Sequence, residues 1–272
     1  MPTKQNLHIH TLYADGKNTP EEMVLAAIEK GFDSIGFSEH TYLDFSDYPY
    51  QMTVEDMVRY RAEVLSLKEK YKDKIEIFCG LEYDFYSNVP TEGFDYLLGS
   101  MHYLDFAGNR LGFDRGVKEV EAYVGDNFGG NGLAFAKKYF EALKLLPSAA
   151  KIDVLAHFDV LIKTNQTLHF VDTASAEYIK YGIEAIHDIK GKIPLFEINS
   201  GGVARGYNNV PYPQMEFLKE FKACGFGAII TSDCHDARLI DCYYKEMREL
   251  LLAAGFKSHY ILTENGFKEE GL

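Results

Sequence analysis

Short apolar runs alternate with longer amphipathic segments along most of the chain. The short runs have the length and apolar character of buried strands, and polar or glycine-containing turns separate them from their neighbours. Seven of these runs predict strands at Leu7–His10, Ser34–Ser38, Ile75–Leu81, Tyr96–Met101, Ile152–Ala156, Leu195–Ile198 and Gly227–Thr231.

Helical patterns lie between the predicted strands. Two segments begin at Thr19 and Thr53, each a threonine with acidic residues in the turn that follows, and the first of them ends near Gly31. This is the composition of a capped helix start and a glycine stop. The segments ASAEYIKYGIEAIHDIKG and YPQMEFLKEFKACGF follow the same rule. Strands that alternate with helices predict parallel βα units, and seven of them in one chain predict a closed or nearly closed α/β barrel.

The least regular segment runs from Asp105 to Leu133 and contains VGDNFGGNG. Polar, glycine-rich loops of this kind serve as lids or as plain surface excursions, and the sequence leaves both readings open. No internal repeat or low-complexity linker divides the chain. Residues 1–272 are therefore predicted to form a single domain.

Composition narrows the class of protein. Hydrophobic residues make up 46% and charged residues 25%, as in ordinary globular proteins. The net charge of −13 argues against long nucleic acids as partners, although a metal-mediated site could still act on a phosphate. Four cysteines without a CxxC pair predict neither a disulfide framework nor a cysteine zinc site. With no apolar signal region and no membrane-spanning run, we expect a cytoplasmic protein with no membrane partner.

Potential metal ligands lie at or just beyond the end of every predicted strand. His8 and His10 lie two apart on the first strand, and alternate residues of a strand point to the same side. The later strand ends present Glu39 and His40, Glu82, His102, His157 and Asp159, Glu197 and Asn199, and Asp233 and His235. Because the loops after barrel strands converge at one end, these side chains are expected to form one site. His169, His187 and His259 fall outside the pattern and are interpreted as surface or structural residues.

The kinds of ligand indicate the chemistry. Imidazoles mixed with carboxylates, without cysteine, suit zinc, manganese or iron. A single catalytic zinc has roughly three protein ligands, so two or three divalent ions are predicted for the nine main candidates, which include Asp15. These nine are His8, His10, Asp15, His40, Glu82, His102, His157, Asp233 and His235. A carboxylate such as Glu82 could bridge a pair of them. Paired ions suit phosphoester hydrolysis because they bind both the attacking and the leaving oxygen.

These motifs resemble those of the PHP superfamily, the polymerase and histidinol phosphatase domain. The resemblance rests on HIH, SEH, GLE, SMH, AHFD and SDCH, and it runs from Leu7 to Asp236. It implies a distorted (β/α)7 barrel, similar to a TIM barrel, with a trinuclear metal centre. By motif, the first ion would be held by His8, His10, Glu82 and Asp233, the second by Glu82, His102 and His157, and the third by Asp15, His40 and His235. Many members have histidine where Asp15 stands, which leaves the metal preference of the third position open.

The chain most resembles the histidinol-phosphate phosphatase branch of the superfamily. Its length is similar, and so are GSMHYLDF and EINSGG followed by Arg205 and VPYP. The resemblance implies a phosphomonoesterase that converts L-histidinol phosphate to L-histidinol and phosphate in histidine biosynthesis. We hypothesise that a metal-bridging hydroxide attacks phosphorus in line while a cationic side chain neutralises the phosphoryl oxygens. Arg205 is the first candidate for that cation, ahead of Arg115 and Arg238, and Asp233 or His235 could protonate the leaving alkoxide.

The organic end of such a substrate would suit acidic and aromatic neighbours. Candidates near the strand ends are Tyr42, Asp44, Phe45, Tyr83 and Tyr103, and Arg115 is a further weak candidate for substrate binding. Two alternative functions remain open. One is a PHP-type phosphoesterase that acts on another small phosphoester, such as a nucleotide phosphodiester or phosphotyrosine. The other is a metal-binding module without catalysis.

Overall fold

A computed structural model describes residues 2–46, 51–106, 108–114 and 116–272. Seven parallel strands form one sheet, in the order β1 (Gln5–Asn6), β2 (Ser34–His40), β3 (Glu76–Asp84), β4 (Tyr96–Ser100), β7 (Val154–Leu155), β8 (Leu195–Asn199) and β9 (Gly227–Thr231). The first and last strands meet through a parallel bridge between Ile9 and Cys234. The sheet is therefore a nearly closed barrel, and the predicted fold class is confirmed.

Helices and short hairpins connect and cover the strands. The helices are α1 (Pro20–Glu29), α2 (Val54–Tyr71), α3 (Val117–Phe128), α4 (Gly132–Leu143), α5 (Asn165–Leu168), α6 (Ala176–Ile189), α7 (Gly201–Ala204), α8 (Met215–Cys224) and α9 (Tyr244–Ala253). Two antiparallel hairpins complete the fold, β5 (Tyr103–Phe106) with β6 (Asn109–Gly112), and β10 (Ser258–Thr263) with β11 (Gly266–Gly271). Thr19 and Thr53 cap α1 and α2 through capping boxes, as the sequence predicts.

Two parts of the sequence-based description are corrected by the structure. The first predicted strand, Leu7–His10, is placed too late: the strand that pairs with β2 is Gln5–Asn6, and of Leu7–His10 only Ile9 makes a bridge, to Cys234. The segment from Asp105 to Leu133 is not a long loop, because it contains a hairpin, all of α3 and the start of α4. Its glycines end α3 with positive φ angles at Gly129 and Gly130, so they separate two helices that pack against each other.

The interior of the barrel is filled around one aromatic side chain. Tyr96 is 1% exposed, and its hydroxyl lies 2.6 Å from the carbonyl oxygen of Leu7 and 2.9 Å from that of Phe37. A β-carbon at Gly36 or Gly80 would lie 2.5 or 2.4 Å from the nearest Tyr96 atom. Glycine at these two positions therefore lets the ring lie across neighbouring strands, and the packed interior leaves the functional site to the strand ends.

Within the described part of the chain, no helix has both the length and the apolar character needed to cross a bilayer.

His259 on β10 is one of the histidines outside the strand-end pattern, and it is 3% exposed. Burial, together with the nearby Arg248, lowers its pKa to about 4. The folded chain thus keeps His259 neutral, whereas the unfolded chain takes up a proton near pH 6.5. We expect the resulting stability to be present above pH 6.5 and to be lost as the pH falls from 6.5 to 4, by about 3 kcal/mol at most.

Urea unfolding at pH 7 and pH 4.5 checks this expectation. The loss of unfolding free energy on acidification is expected to be smaller in His259→Gln than in the wild type. His169→Gln is the matched control, because His169 is exposed. An equal pH dependence in all three proteins would show that His259 titrates alike in the folded and unfolded states.

Candidate metal centre

The loops at the carboxyl end of the barrel bring the nine predicted metal ligands together. His40 and Glu82 lie near the carboxyl ends of β2 and β3. The other seven ligands lie in the segments that follow strand ends. Every one of the nine belongs to at least one cluster whose ligand atoms lie within 4.8 Å of one another. The clusters are His10, Asp15, His40 and His235; His8, His10 and Asp233; His8, Glu82 and His157; and His40, Glu82 and His102.

Glu82 lies at the centre of these clusters and is 1% exposed. Its Oε1 lies 2.8 Å from the Nε2 of His157 and 3.3 Å from the Nε2 of His102. Its Oε2 lies close to three further imidazoles, at 2.7 Å from His40 Nδ1, 3.5 Å from His8 Nε2 and 3.4 Å from His10 Nε2. Burial alone would raise the pKa of Glu82, but His40, His102 and His8 hold it well below its usual value. A carboxylate shared in this way has the position of a bridging ligand.

His8 and His10 form one side of the site together with Asp233. The Nε2 atoms of His8 and His10 lie 3.1 Å apart, and Asp233 Oδ1 lies 3.7 and 3.5 Å from them. The prediction that the two imidazoles share one side of the chain is thus met in the structure. Burial would lower the pKa of His8, but Glu197, Asp233 and Glu82 outweigh burial and raise it well above its usual value.

Asp15 lies on another side of the site, next to His10, His40 and His235. Its Oδ1 lies 3.0 Å from His235 Nε2, 3.6 Å from His40 Nε2 and 3.8 Å from His10 Nδ1. This oxygen and Glu82 Oε2 are both buried and make no hydrogen bond of acceptable geometry. Buried anionic oxygens that face imidazole nitrogens without a hydrogen bond are the donor set that a divalent cation satisfies. The residues therefore fit the implied metal ions.

A second layer of carboxylates orients the imidazoles from behind. Glu197 accepts a hydrogen bond from His8 Nδ1 at 2.9 Å and from the backbone N–H of His157 at 2.7 Å. Glu39 lies 3.7 Å from His10 Nδ1, and Asp84 lies 3.3 Å from His102 Nδ1. Sequence reasoning put Glu39 and Glu197 among possible ligands, whereas the structure places them behind the imidazoles. Partners of this kind fix the ring orientation and the tautomer that a metal ligand needs.

Asp233 is held in an uncommon backbone conformation, with a φ of +47°. A β-carbon at Gly201, directly after β8, would lie 2.5 Å from Asp233 Oδ2 and 2.7 Å from its Cβ. Gly201 therefore provides the space into which this side chain fits. The SGG sequence after β8 thus makes room for Asp233, a ligand that follows β9.

Arg205 follows α7 and reaches the same part of the site. Its Nη2 donates to Asp233 Oδ2 at 2.9 Å, and its Nη1 lies 2.7 Å from His235 Nδ1. The same Nδ1 lies 2.9 Å from the backbone oxygen of Asp233. A neutral imidazole can donate from Nδ1 to that oxygen, which leaves Nε2 free for an ion, or accept from Arg205, but not both. With Nδ1 donating to the backbone oxygen of Asp233, Nε2 of His235 is available to an ion.

Seven of the nine ligands and Arg205 line an open cleft, whose empty volume, counted with the solvent space at its mouth, is about 690 Å³. His8 and His10 lie beneath it, fully buried. Lys163 and Asp114 also line the cleft, and their charged groups lie 2.5 Å apart. Sequence reasoning missed both residues. Lys163 lies six residues after His157, beyond a short 3-10 helix, so no strand-end motif marks it. The sequence signal that could have found Lys163 was its place in the loop after a barrel strand, at the same end of the barrel as Arg205.

The family model of the PHP domain matches residues 6–200, which is well over half of the chain. The chain belongs to the PHP domain family. Among its relatives, a Deinococcus radiodurans protein named as a probable histidinol-phosphatase is 24% identical over 84% of this PHP chain and 85% of its own length.

Two crystal structures share the fold of this PHP chain. A Listeria monocytogenes protein superposes with a TM-score of 0.76 at 21% identity, over 89% of this chain and 99% of that one. The histidinol phosphate phosphatase of Lactococcus lactis, crystallised with zinc, L-histidinol and phosphate, gives a TM-score of 0.68 at 20% identity, over 98% and 99%. At these identities the likeness establishes the fold.

Most of the predicted substrate contacts do not line the cleft of this PHP chain. Tyr103 does line it, but Tyr42, Asp44 and Phe45 do not. Tyr83 is buried, and its hydroxyl donates to the backbone oxygen of Ser87, so it is a packing residue. The four residues other than Tyr103 are close in sequence to the strand ends, but their side chains do not point into the cleft.

The two weaker arginine candidates have different outcomes. Arg238 has 84% of its side chain exposed and forms an ion pair with Asp236 outside the cleft, so it is not a phosphate ligand. Arg115 lies outside the described residues.

Proposed function

We propose that this chain is a metal-dependent phosphomonoesterase that hydrolyses L-histidinol phosphate to L-histidinol and phosphate. The observation that carries the proposal is the cluster of nine imidazole and carboxylate ligands, seven of which line one open cleft together with Arg205 and Lys163. The names of the Deinococcus and Lactococcus relatives, and the histidinol and phosphate bound in the latter, support this substrate.

We propose three ion positions from the ligand clusters of the site. His8, His10, Glu82 and Asp233 would hold one ion, Glu82, His102 and His157 a second, and Asp15, His40 and His235 a third. The donor set suits zinc, manganese or iron, and the zinc in the Lactococcus structure favours zinc. When bound, such ions lower the pKa of water toward neutrality and offset the charge of the phosphoryl group.

The side chains of the cleft would bind and orient the phosphate. Arg205 presents a planar pair of donors, which matches two phosphoryl oxygens, and Asp233 and His235 fix its position. Lys163 adds a second positive charge, which Asp114 holds in the cleft until an anion replaces that carboxylate as its partner. Two cations that line the cleft with the ligand cluster would hold the ester with its phosphorus near that cluster.

The structure argues against Asp233 and His235 as proton donors to the leaving alkoxide. Burial would raise the pKa of Asp233, but Arg205 and His8 hold it well below its usual value. Burial and Arg205 lower the pKa of His235 to about 4. Neither group carries a transferable proton near neutral pH, so both serve as ligands in this proposal.

The test of function is phosphate release by zinc- or manganese-loaded protein from L-histidinol phosphate, p-nitrophenyl phosphate and a cyclic nucleotide. We expect kcat/KM to be highest on L-histidinol phosphate. Comparable slow rates on both monoesters, or a preference for the diester, would overturn the substrate while leaving a phosphoesterase. Metal-loaded protein that is inert to all three would overturn the enzymatic function itself.

Lys163→Ala is expected to raise KM for the phosphate ester by about 10- to 100-fold, which corresponds to one lost charge-assisted hydrogen bond. Lys163→Arg should restore much of the loss because the charge is kept. Lys17→Ala serves as the control, because Lys17 forms an ion pair outside the cleft and 70% of its side chain is exposed. Steady-state kinetics of the three variants decide the matter, and wild-type KM in Lys163→Ala would exclude Lys163 from phosphate binding.

A further inference from the structure

A fifth cluster of metal-ligand side chains lies away from the cleft, on two helices that pack against each other. His187 is in the last turn of α6, and Glu220 and Cys224 lie one turn apart on α8. Their ligand atoms all lie within 4.8 Å of one another. None of the three lines the cleft.

The helices hold these side chains on a rigid base. Ile186 and Ile189, on either side of His187, are fully buried, and so is Phe221, which follows Glu220. A β-carbon at Gly182 on α6 would lie 2.3 Å from the ring of Phe217 on α8, so the two helices approach closely at this glycine. Ligands carried by packed helices are positioned more accurately than ligands on loops.

The carboxylate of Glu220 lies between the other two donors. Its Oε1 is 2.7 Å from His187 Nε2 and 3.6 Å from Cys224 Sγ. An ion pair between His187 and Glu220 would account for the first contact, but exposed pairs stabilise little and need no thiol. The thiol adds the ligand type that zinc prefers, next to an imidazole and a carboxylate.

The surroundings favour a cation and leave it accessible. All three donors lie toward the carboxyl ends of their helices, where unpaired carbonyl groups give a partial negative charge. The side chain of His187 is 58% exposed and that of Glu220 is 25% exposed. An ion held here could keep a water molecule as its fourth ligand, as three-ligand zinc sites do.

We propose that His187, Glu220 and Cys224 form a separate zinc site that joins α6 to α8. It differs from the centre in the cleft by its single sulfur ligand, because the cleft cluster contains no cysteine. The site stands or falls independently of the phosphatase activity, since none of its residues reaches the cleft.

Cobalt makes the sulfur ligand visible. A thiolate bound to Co²⁺ gives a near-ultraviolet charge-transfer band that imidazole and carboxylate ligands do not give. The full chain loaded with Co²⁺ is expected to show this band, Zn²⁺ should remove it by displacement, and elemental analysis should count the ions bound per chain. Cys224→Ser is expected to lose the band and one bound ion per chain, with unchanged kcat/KM on the phosphate substrate.

Two further variants separate the site from other causes. His187→Gln should weaken Zn²⁺ binding at this site and leave the cleft ions in place. Cys242→Ser is the matched control, because Cys242 is another partly buried thiol and belongs to none of the clusters in the described residues. A band that persists in Cys224→Ser, or an unchanged number of ions in both Cys224→Ser and His187→Gln, would show that the three residues form only an ion pair beside a free thiol.

Discussion

Glu82→Gln is expected to lower kcat/KM by at least about 10³-fold and to reduce the number of bound ions. Glutamine keeps the size of the side chain but removes the charge that five imidazoles face at 2.7 to 3.5 Å. Two or more charge-assisted contacts, each contributing about 1.5–3 kcal/mol, account for a loss of this size. Elemental analysis and kinetics on the same preparation measure both effects.

Glu76→Gln is the matched control, since Glu76 begins β3 at the opposite end of the strand that carries Glu82. It should retain the metal content and turnover of the wild type. If Glu82→Gln also kept both, Glu82 could not be a ligand, and the centre of the site would have to be placed elsewhere. Loss of turnover with full metal content would instead give Glu82 a role in catalysis without ligation.

Arg205→Ala is expected to lower kcat/KM by about 10²- to 10³-fold while the bound ions remain. The guanidinium contacts the side chains of Asp233 and His235. In the proposed site the ions would be held by carboxylate oxygens and imidazole nitrogens, and Arg205 would not be a ligand. Removing one preorganised donor that stabilises developing negative charge costs about 2.7–4 kcal/mol, which corresponds to this range. Arg205→Lys should recover part of the activity, because it restores the charge but not the two parallel donors.

Arg238→Ala is the control for Arg205, since its guanidinium pairs with Asp236 at the surface. It should behave as the wild type. Unchanged kinetics in Arg205→Ala would remove Arg205 from the site. If metal and activity fell together, Arg205 would be a positioning residue for Asp233 and His235 and not a phosphate ligand.

The barrel and the ligand cluster were predictable because both follow from periodic local patterns. Six of the seven apolar runs overlap strands of the barrel sheet, and the first run lies directly after the observed strand Gln5–Asn6. Parallel strands place their carboxyl ends at one edge. His8 and His10 illustrate the next step, since alternation along an extended chain alone put both imidazoles on one side. The predicted ligands were found because they lie on the strands or in the segments that follow them at the same end of the barrel.

The parts that sequence reasoning missed depend on loops and on packing at a distance. Lys163 is placed by a short helix and a turn, so its position relative to Arg205 could not be derived from strand periodicity. Tyr83 was expected to reach substrate, but its hydroxyl turns to a backbone oxygen four residues away. The side chain of Glu197 points toward the site, as predicted, but it binds His8 and is not placed as a metal ligand. Whether a carboxylate contacts an ion or an imidazole depends on differences of about an ångström, which sequence patterns do not determine.

The bridge between Ile9 and Cys234 has a consequence for how the protein is made. Two of the ligand clusters contain residues near both ends of the barrel sequence, since His8 and His10 meet Asp233 and His235. During synthesis the amino-terminal strands emerge first, and the other two clusters are complete in sequence once His157 has been added. Ions that need Asp233 or His235 can be captured only after the last barrel strand has been translated. Full loading of the proposed metal site would thus follow synthesis of the last barrel strand.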